Sequence, residues 1–375
     1  MEYASKTAVV IPAYKPDDRL PPYVQALREA GIGRIVIIDD GSGAEYRPLF
    51  DQIPEDGTVH TIHYEPNGGK GVALRRGMAW LEENAPEQQI VVTADSDGQH
   101  TVRDVLRMAE SLSENSDGLL LGSRDFSQPD VPFKSRNGNR ITSTVFKLLY
   151  GVWVSDTQTG LRGFHRDLLP MMGQVKGDRY EYEMNVLIEC AHRRIAMRPL
   201  SIQTVYENNN EGSHFRAFRD SARIYGVILG GFFKFISASL ISFLVDYFLY
   251  LLLNNVFKAH MPALEHEFRF LFIHFLARIG LATVLARLVS GVTNFVLNRS
   301  FVFTDKAAVS KTFPRYLVVF FLIMVLSAGL TSSLHLWLNL SENLIKIPVD
   351  LLLFFLSYYL QRKWVFTGNA PSKKA

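Results

Sequence analysis

The sequence predicts an α/β domain followed by an all-α membrane domain with four spans. Three observations carry that reading. Short apolar runs at 7–13, 34–38 and 90–94 are separated by segments of helical periodicity. Four apolar runs long enough to cross a bilayer follow one another in the C-terminal part of the chain. Charge divides the chain in the same place. Residues 1–223 carry 26 Lys/Arg and 31 Asp/Glu, a net of −5, whereas residues 224–375 carry 14 and 6, a net of +8. The 375 residues suggest two domains, and 47% hydrophobic with 21% charged residues excludes general disorder. A lone cysteine, Cys190, excludes a disulfide framework and a cysteine-based zinc site within one chain.

Taken in order, TAVVIPA (7–13) reads as a strand, Leu20, Val24 and Leu27 as the inner face of a helix, and RIVII (34–38) as a second strand. This is a βαβ opening. IVVTA (90–94) is a third buried strand, and the segment after Asn67-Gly-Gly-Lys70-Gly is helical to about Glu83. Ligands of open α/β sheets bind beyond the carboxyl ends of the strands. Pro12/Tyr14, Asp39/Asp40 and Asp95/Asp97 all fall at such ends, which predicts one shared crevice.

Asp95-Ser-Asp97-Gly-Gln99-His100 carries the chemistry. Two carboxylates at i and i+2 after a buried strand suit a hard divalent ion, Mg²⁺ or Mn²⁺, with Gln99 as a further oxygen donor. Asp39 and Asp40 either accept hydrogen bonds from a nucleobase or ribose or close an Asx-turn, with Asp40 the better base contact. The glycine loop around Lys70 can offer backbone N–H groups and a cation to a diphosphate.

The membrane runs lie near 231–253, 270–297, 316–338 and 345–362. Arg299, Lys306, Lys311 and Arg315 between spans two and three, and Arg362, Lys363, Lys373 and Lys374 in the tail, place both termini and the first half of the chain in the cytoplasm by the positive-inside rule. The N-terminal residues do not read as a signal peptide. Residues 215–236 mix basic and aromatic side chains and read as an interfacial helix leading into the bilayer. NFVLNRSFVFT (294–304) and SYYLQRKWVFT (357–367) match at Leu, Arg, Val, Phe and Thr, the mark of two duplicated hairpins. Asp246, Arg278 and Arg287 lie within spans, as a structural pair or as a place for a lipid head group.

VVIPAY, IIDDGSG, NGGKGVALRRG, DSDGQH and GSR, in this order, resemble family 2 glycosyltransferases of the GT-A fold, a Rossmann-like α/β domain with a mostly parallel sheet. Asp156-Thr-Gln-Thr-Gly160-Leu-Arg162-Gly-Phe164 resembles a stretch of the dolichol-phosphate mannosyltransferase-like polyprenyl-phosphate glycosyltransferases. The four-span tail resembles the GtrA-like membrane domain. The implied division is a GT-A domain at 1–214, an interfacial linker at 215–230, a GtrA-like domain at 231–367 and a cytoplasmic tail at 368–375.

The resemblance implies site residues. Pro12, Tyr14 and Asp40 match nucleotide-binding positions, and Asp95, Asp97 and Gln99 match the metal and diphosphate loop. Arg124 matches an arginine that meets the acceptor lipid phosphate. Arg136, Asn139 and Arg140 lie where further acceptor contacts are expected, and Glu183 where an acidic residue adjoins the donor sugar. Two departures stand out. Tyr14-Lys15-Pro16 replaces the usual Tyr-Asn-Glu, and His214 replaces a phosphate-binding lysine.

The implied reaction is an inverting transfer of one sugar from a nucleotide-sugar to a polyprenyl phosphate, expected to be undecaprenyl phosphate, for cell-envelope glycosylation. The acceptor phosphate is already ionised, so no strong general base is expected. Two rivals remain in view. A processive polysaccharide synthase would carry Gln-x-x-Arg-Trp, whereas this chain has Gln361-Arg-Lys-Trp364 at the end of a span. A glycosyl-lipid transport protein would act through its membrane half. Nucleic-acid binding is excluded because the excess positive charge lies in membrane loops. UDP-glucose, UDP-N-acetylglucosamine and GDP-mannose stay open as donors, as does a homo-oligomeric state.

Overall fold

The computed structural model describes the chain except for residues 1, 127–132, 204–216, 266, 271–272, 304, 306, 339–341 and 368–375. It comprises two units, residues 1–228 and 229–375.

In the first unit, the single-turn helix α1 (Glu2–Ser5) precedes strand β1 (Thr7–Ala13). Helix α2 (Leu20–Glu29), strand β2 (Arg34–Asp40), helix α3 (Arg47–Phe50), strand β3 (Val59–Tyr64), helix α4 (Lys70–Asn84) and strand β4 (Ile90–Thr93) continue the alternation. Helix α5 (Val102–Glu114), strand β5 (Leu119–Arg124), helix α6 (Phe133–Tyr150), strand β6 (Arg162–His165), helices α7 (Leu169–Gln174) and α8 (Glu181–Arg193) and strand β7 (Met197–Ile202) complete it.

The sheet order is β3-β2-β1-β4-β6-β5-β7. All neighbours pair in parallel except β6, which runs antiparallel to both β4 and β5. Every residue of β1 and β4 is buried, as a sheet covered on both faces requires. Leu20, Val24 and Leu27 of α2 enter the core with Val9, Ile11, Ile35 and Ile37. The strands expected at 7–13, 34–38 and 90–94 appear at 7–13, 34–40 and 90–93. The reversed strand β6 has no counterpart in the sequence reading. At four residues it is too short to show a period.

From residue 217 on, the basic-aromatic stretch and the first apolar run form one unbroken helix, α9 (Ala217–His260). Its 44 residues measure about 66 Å, roughly twice the hydrocarbon thickness of a bilayer. The second apolar run becomes helical later than hydropathy alone suggests. Strands β8 (Glu267–Phe270) and β9 (Ile273–Leu276) form an antiparallel hairpin, and helix α10 (Ala277–Leu297) starts only after it. A short apolar, aromatic-rich run does not distinguish strand from helix. Helices α11 (Val309–Leu338) and α12 (Glu342–Leu360) follow, and Val349 and Leu353 of α12 pack on Ile323, Leu326 and Leu334 of α11. Among the described residues, Ser221–His260 and Ala277–Val302 are long and apolar enough to cross a membrane. Leu240, Phe243, Phe248, Leu252, Val284, Leu288 and Leu352 are exposed, a surface that suits lipid rather than water.

The two repeated sequence segments also repeat in structure. Each helix ends in a single π turn, Asn298–Val302 after α10 and Gln361–Val365 after α12. The N–H of Phe303 donates to the Asn298 carbonyl and that of Phe366 to the Gln361 carbonyl, each at 2.8 Å. The two turns meet: Asn298 Nδ2 donates to Gln361 Oε1 at 3.1 Å, and the rings of Phe303 and Phe366 stack at 5.1 Å. Asp246, Arg278 and Arg287 are paired. Arg287 lies 3.5 Å from Asp246, which also accepts from Ser290, and Arg278 lies 3.0 Å from Glu265 and bonds Asn254.

Candidate active site

The acidic loop leaves the end of β4 and is closed by its own backbone. The Asp95 N–H donates to His100 Nδ1 at 3.0 Å, and the Gln99 N–H donates to Asp97 Oδ1 at 3.0 Å. Thr101 then caps α5 by accepting the Asp104 N–H at 3.1 Å. These bonds fix both carboxylates beyond the sheet edge. Lys70, the first residue of α4, reaches across to them. Its Nζ lies 2.6 Å from Asp95 Oδ1 and 3.0 Å from Glu183 Oε1, in the first turn of α8.

Beneath this bridge lies Arg162, 4% exposed. Its Nε donates to the Thr159 carbonyl at 3.0 Å and its Nη1 to the Glu183 carbonyl at 2.7 Å. Gly160 fits between Thr159 and Leu161 against Asp95. A Cβ on Gly160 would sit 2.4 Å from Asp95 Oδ2, so only glycine leaves room for the carboxylate.

The electrostatics follow from this geometry. Burial acts to raise the Asp95 carboxyl, but Lys70, His100 and Arg162 outweigh it and hold it at about 2. Burial acts to lower the Lys70 ammonium, but Asp95 and Glu183 outweigh it and raise it above its usual range. Asp97 moves the other way: burial, followed by the charge of Asp95, pushes its carboxyl up. Asp97 has no ion pair among the described residues.

That uncompensated carboxylate, in an all-oxygen donor set, fits a hard divalent cation. Among the described residues, no group of three or more His, Cys, Asp or Glu is placed to hold a metal. Asp95 and Asp97 would therefore share the ion with water and substrate phosphate, the usual manner for Mg²⁺.

On the β1–β2 side, the carboxylates organise loops. Asp39 accepts the Ser42 N–H at 2.9 Å and meets His63 Nδ1 at 2.9 Å. Ser42 Oγ in turn accepts the Lys15 N–H at 2.9 Å, with Lys15 in the left-handed region at φ 49° next to half-buried Tyr14. Asp40, 3% exposed, accepts from the Tyr64 hydroxyl, from Asn67 Nδ2 and from the Gly68 and Gly69 N–H groups. The N–H groups of Gly71 and Val72 donate to the Asp178 carbonyl. The glycine loop thus differs from expectation. These N–H groups are taken up internally, and what the loop turns toward the acidic residues is the Lys70 ammonium. Pro12 lies within β1, paired beside Ile38.

On the β5 side, Arg124 forms a bidentate pair with the fully buried Asp156, Nε to Oδ2 at 2.7 Å and Nη2 to Oδ1 at 3.1 Å. Arg136, Asn139 and Arg140 share one turn of α6. Asn139 turns inward: it donates to the Ser155 carbonyl at 2.6 Å and accepts from the Thr157 N–H and hydroxyl at 3.1 Å. It therefore ties α6 to the loop that holds Arg124. Arg140 is exposed. His214 lies outside the described residues.

The structure brings Asp95, Asp97, Lys70 and Glu183 together, and residues 156–160 link them to Arg124. Sequence reasoning does not single out Arg162 or Tyr23. Arg162 stands inside the quoted Thr159-Gly-Leu-Arg-Gly stretch, where an arginine amid buried small and apolar residues is a usable signal. Tyr23 is a buried phenol on α2, and burial followed by Asp95, Asp97 and Asp104 raises its hydroxyl above the ordinary range. Its helical spacing marks it only as a core residue.

The chain is similar to known glycosyltransferases in its first part and to a known transmembrane domain in its second. Residues 8–171 match the model "Glycosyl transferase family 2", and residues 234–366 match "GtrA/DPMS, transmembrane domain". A UDP-N-acetylglucosamine–dolichyl-phosphate N-acetylglucosaminyltransferase of Methanococcus voltae is 27% identical over 53% of this chain and 85% of its own length. An undecaprenyl-phosphate mannosyltransferase of Micrococcus luteus is 23% identical over 52% of this chain and 83% of its own. Among solved structures, glucosyl-3-phosphoglycerate synthase of Mycobacterium tuberculosis, in complex with Mn²⁺, UDP and glucosyl-3-phosphoglycerate, aligns over 61% of this chain and 82% of its own. The TM-score is 0.44 at 17% identity.

Proposed function

Because this chain carries a family 2 glycosyltransferase domain over residues 8–171 and a GtrA/DPMS transmembrane domain over residues 234–366, we propose that it transfers one sugar from a UDP- or GDP-linked donor to a polyprenyl phosphate. The acceptor is undecaprenyl phosphate, the reaction inverts the anomeric carbon, and the site faces the cytoplasm. The observation that carries this reading is the linked set Lys70–Asp95–Glu183 and Arg124–Asp156, an ammonium held between two carboxylates and a guanidinium held by a fully buried carboxylate, joined through residues 156–160.

Asp95 and Asp97 would hold Mg²⁺ or Mn²⁺, with Gln99 as a further oxygen donor. When bound, the ion neutralises charge developing on the leaving diphosphate. The remaining work falls to the chain itself. Lys70 meets the diphosphate as a point charge, and Glu183, held through its backbone by Arg162, faces the donor sugar. Asp156 takes the Nε and Nη2 atoms of Arg124 and so fixes the plane of the guanidinium that meets the acceptor phosphate. Arg136 and Arg140 add positive charge on α6. Tyr14 is the accessible side chain for base and ribose, while the expected contacts Pro12, Asp39 and Asp40 are buried and shape the loops behind it. The names of the archaeal and bacterial relatives support a polyprenyl-phosphate acceptor.

The test is transfer of labelled sugar from a panel of nucleotide-sugars to polyprenyl phosphate in membranes, with and without EDTA, for wild type and Asp97→Ala. One metal-dependent glycosyl-lipid, absent with the variant, is expected. Product formation that survives both EDTA and the substitution would refute the reading.

A further inference from the structure

The bridge that Lys70 makes has a consequence for how the site is loaded. Lys70 Nζ touches Asp95 Oδ1 at 2.6 Å and Glu183 Oε1 at 3.0 Å, and its side chain is only 17% exposed. It occupies Oδ1 of one of the two carboxylates available to a metal. The nearby charges are the carboxylates of Asp95, Asp97 and Glu183 and the cations Lys70 and Arg162, a net of one negative charge, with the His100 ring beside them accepting the Asp95 N–H at its Nδ1. A divalent ion entering alone would leave the site with one excess positive charge, in a partly desolvated place where such an excess is costly. A divalent ion entering with the two negative charges of a nucleotide-sugar diphosphate restores the original balance. The diphosphate also gives the ammonium a new partner, so Lys70 can release Asp95.

Resting on the donor site described above, we infer that Lys70 is a positioning residue that competes with the metal for Asp95, so that the divalent cation and the nucleoside diphosphate load the site together. The coupling is reciprocal: each ligand tightens the other by the same factor. Arg162 cannot take this part, because its Nε and Nη1 are tied to the Thr159 and Glu183 carbonyls. It supplies a fixed charge, whereas Lys70 can move between partners.

The experiment is Mn²⁺ binding to the purified full-length protein in detergent, read from the EPR signal of free Mn²⁺, with and without UDP or GDP. Wild type is expected to bind Mn²⁺ weakly alone and at least ~10-fold more tightly with the nucleotide. Lys70→Met is expected to bind Mn²⁺ alone about tenfold more tightly than wild type and to lose most of the nucleotide coupling. Lys70→Gln has the same expected outcome and carries the test if the methionine variant does not fold. Glu183→Gln, which keeps the ammonium but removes one of its anchors, is expected to shift Mn²⁺ binding the opposite way, to weaker. A merely structural lysine would weaken metal binding in every variant. A folded Lys70 variant that binds Mn²⁺ alone no more tightly than wild type, with coupling intact, overturns the inference and leaves the donor site standing. Absence of Mn²⁺ binding to wild type with either nucleotide overturns both.

Discussion

Gly160→Ala isolates one contact at the centre of the site. Gly160 does not adopt a positive φ, so alanine carries no backbone penalty there. The cost arises from the new methyl, which would stand 2.4 Å from Asp95 Oδ2 and 2.8 Å from Oδ1. Ordinary contact begins near 3.4 Å, so the carboxylate must retreat by about 1 Å. That movement is large against the 2.6 Å contact with Lys70 and displaces an oxygen that would coordinate the metal. A misplacement of this size in an active site costs on the order of 10²-fold in rate, about 2.7 kcal/mol of transition-state stabilisation. Overpacking would also lower stability, by ~1–3 kcal/mol. The assay is kcat/KM for sugar transfer together with the thermal midpoint. Gly138→Ala on α6 is the control, since nothing lies within 4 Å of its new methyl. Wild-type turnover in Gly160→Ala would refute the placement of Asp95.

Asp156→Ala should destabilise the protein by about 3–5 kcal/mol by stripping a buried partner from Arg124, seen as a lower thermal midpoint. Arg124→Lys should fold normally but raise KM for the lipid phosphate, because an ammonium lacks the fork; unchanged KM would count against Arg124 as the acceptor contact. In the EDTA-treated protein, Asp95 has a depressed folded-state carboxyl, about 2 against a reference of 3.8. Its contribution to stability is therefore full above pH 4 and fades as pH falls toward 2; Asp95→Asn should flatten acid denaturation in that window. Burial raises the Cys190 thiol to about 12, so a thiol reagent at pH 8 should label it only on unfolding, and rapid labelling of native protein would contradict its burial.

The strands and the acidic loop were legible because their signals are local. Thr7–Ala13 is a continuous apolar run, and Asp95 and Asp97 stand directly after another. The membrane half was legible because hydropathy over twenty residues is hard to mimic, although it misread 270–276, where a strand is as apolar as a helix. What the sequence did not disclose depends on contacts across large separations. Lys70 meets Glu183 across more than a hundred positions, and Asp40 draws in the glycine loop from 27 to 29 residues away. Asn139 looked like a ligand because its neighbours on the helix are arginines, yet its amide faces the Ser155–Thr157 backbone. Nothing in residue type separates an inward from an outward asparagine; only the packing of α6 does.

The reversal of β6 changes how the enzyme can diversify. A parallel strand would deliver its exit loop to the catalytic edge and return through a helix, keeping donor and acceptor recognition on separate pieces of chain. The reversed strand brings its entry loop there instead. Five consecutive residues, 156–160, therefore run from the partner of Arg124 to the wall of Asp95. If Arg124 meets the acceptor and Asp95 the donor, as proposed, a substitution selected for a new lipid would be felt at the sugar-nucleotide end, and the reverse. Acceptor and donor preference in this lineage should drift together, and grafting one without the other should give poor enzymes.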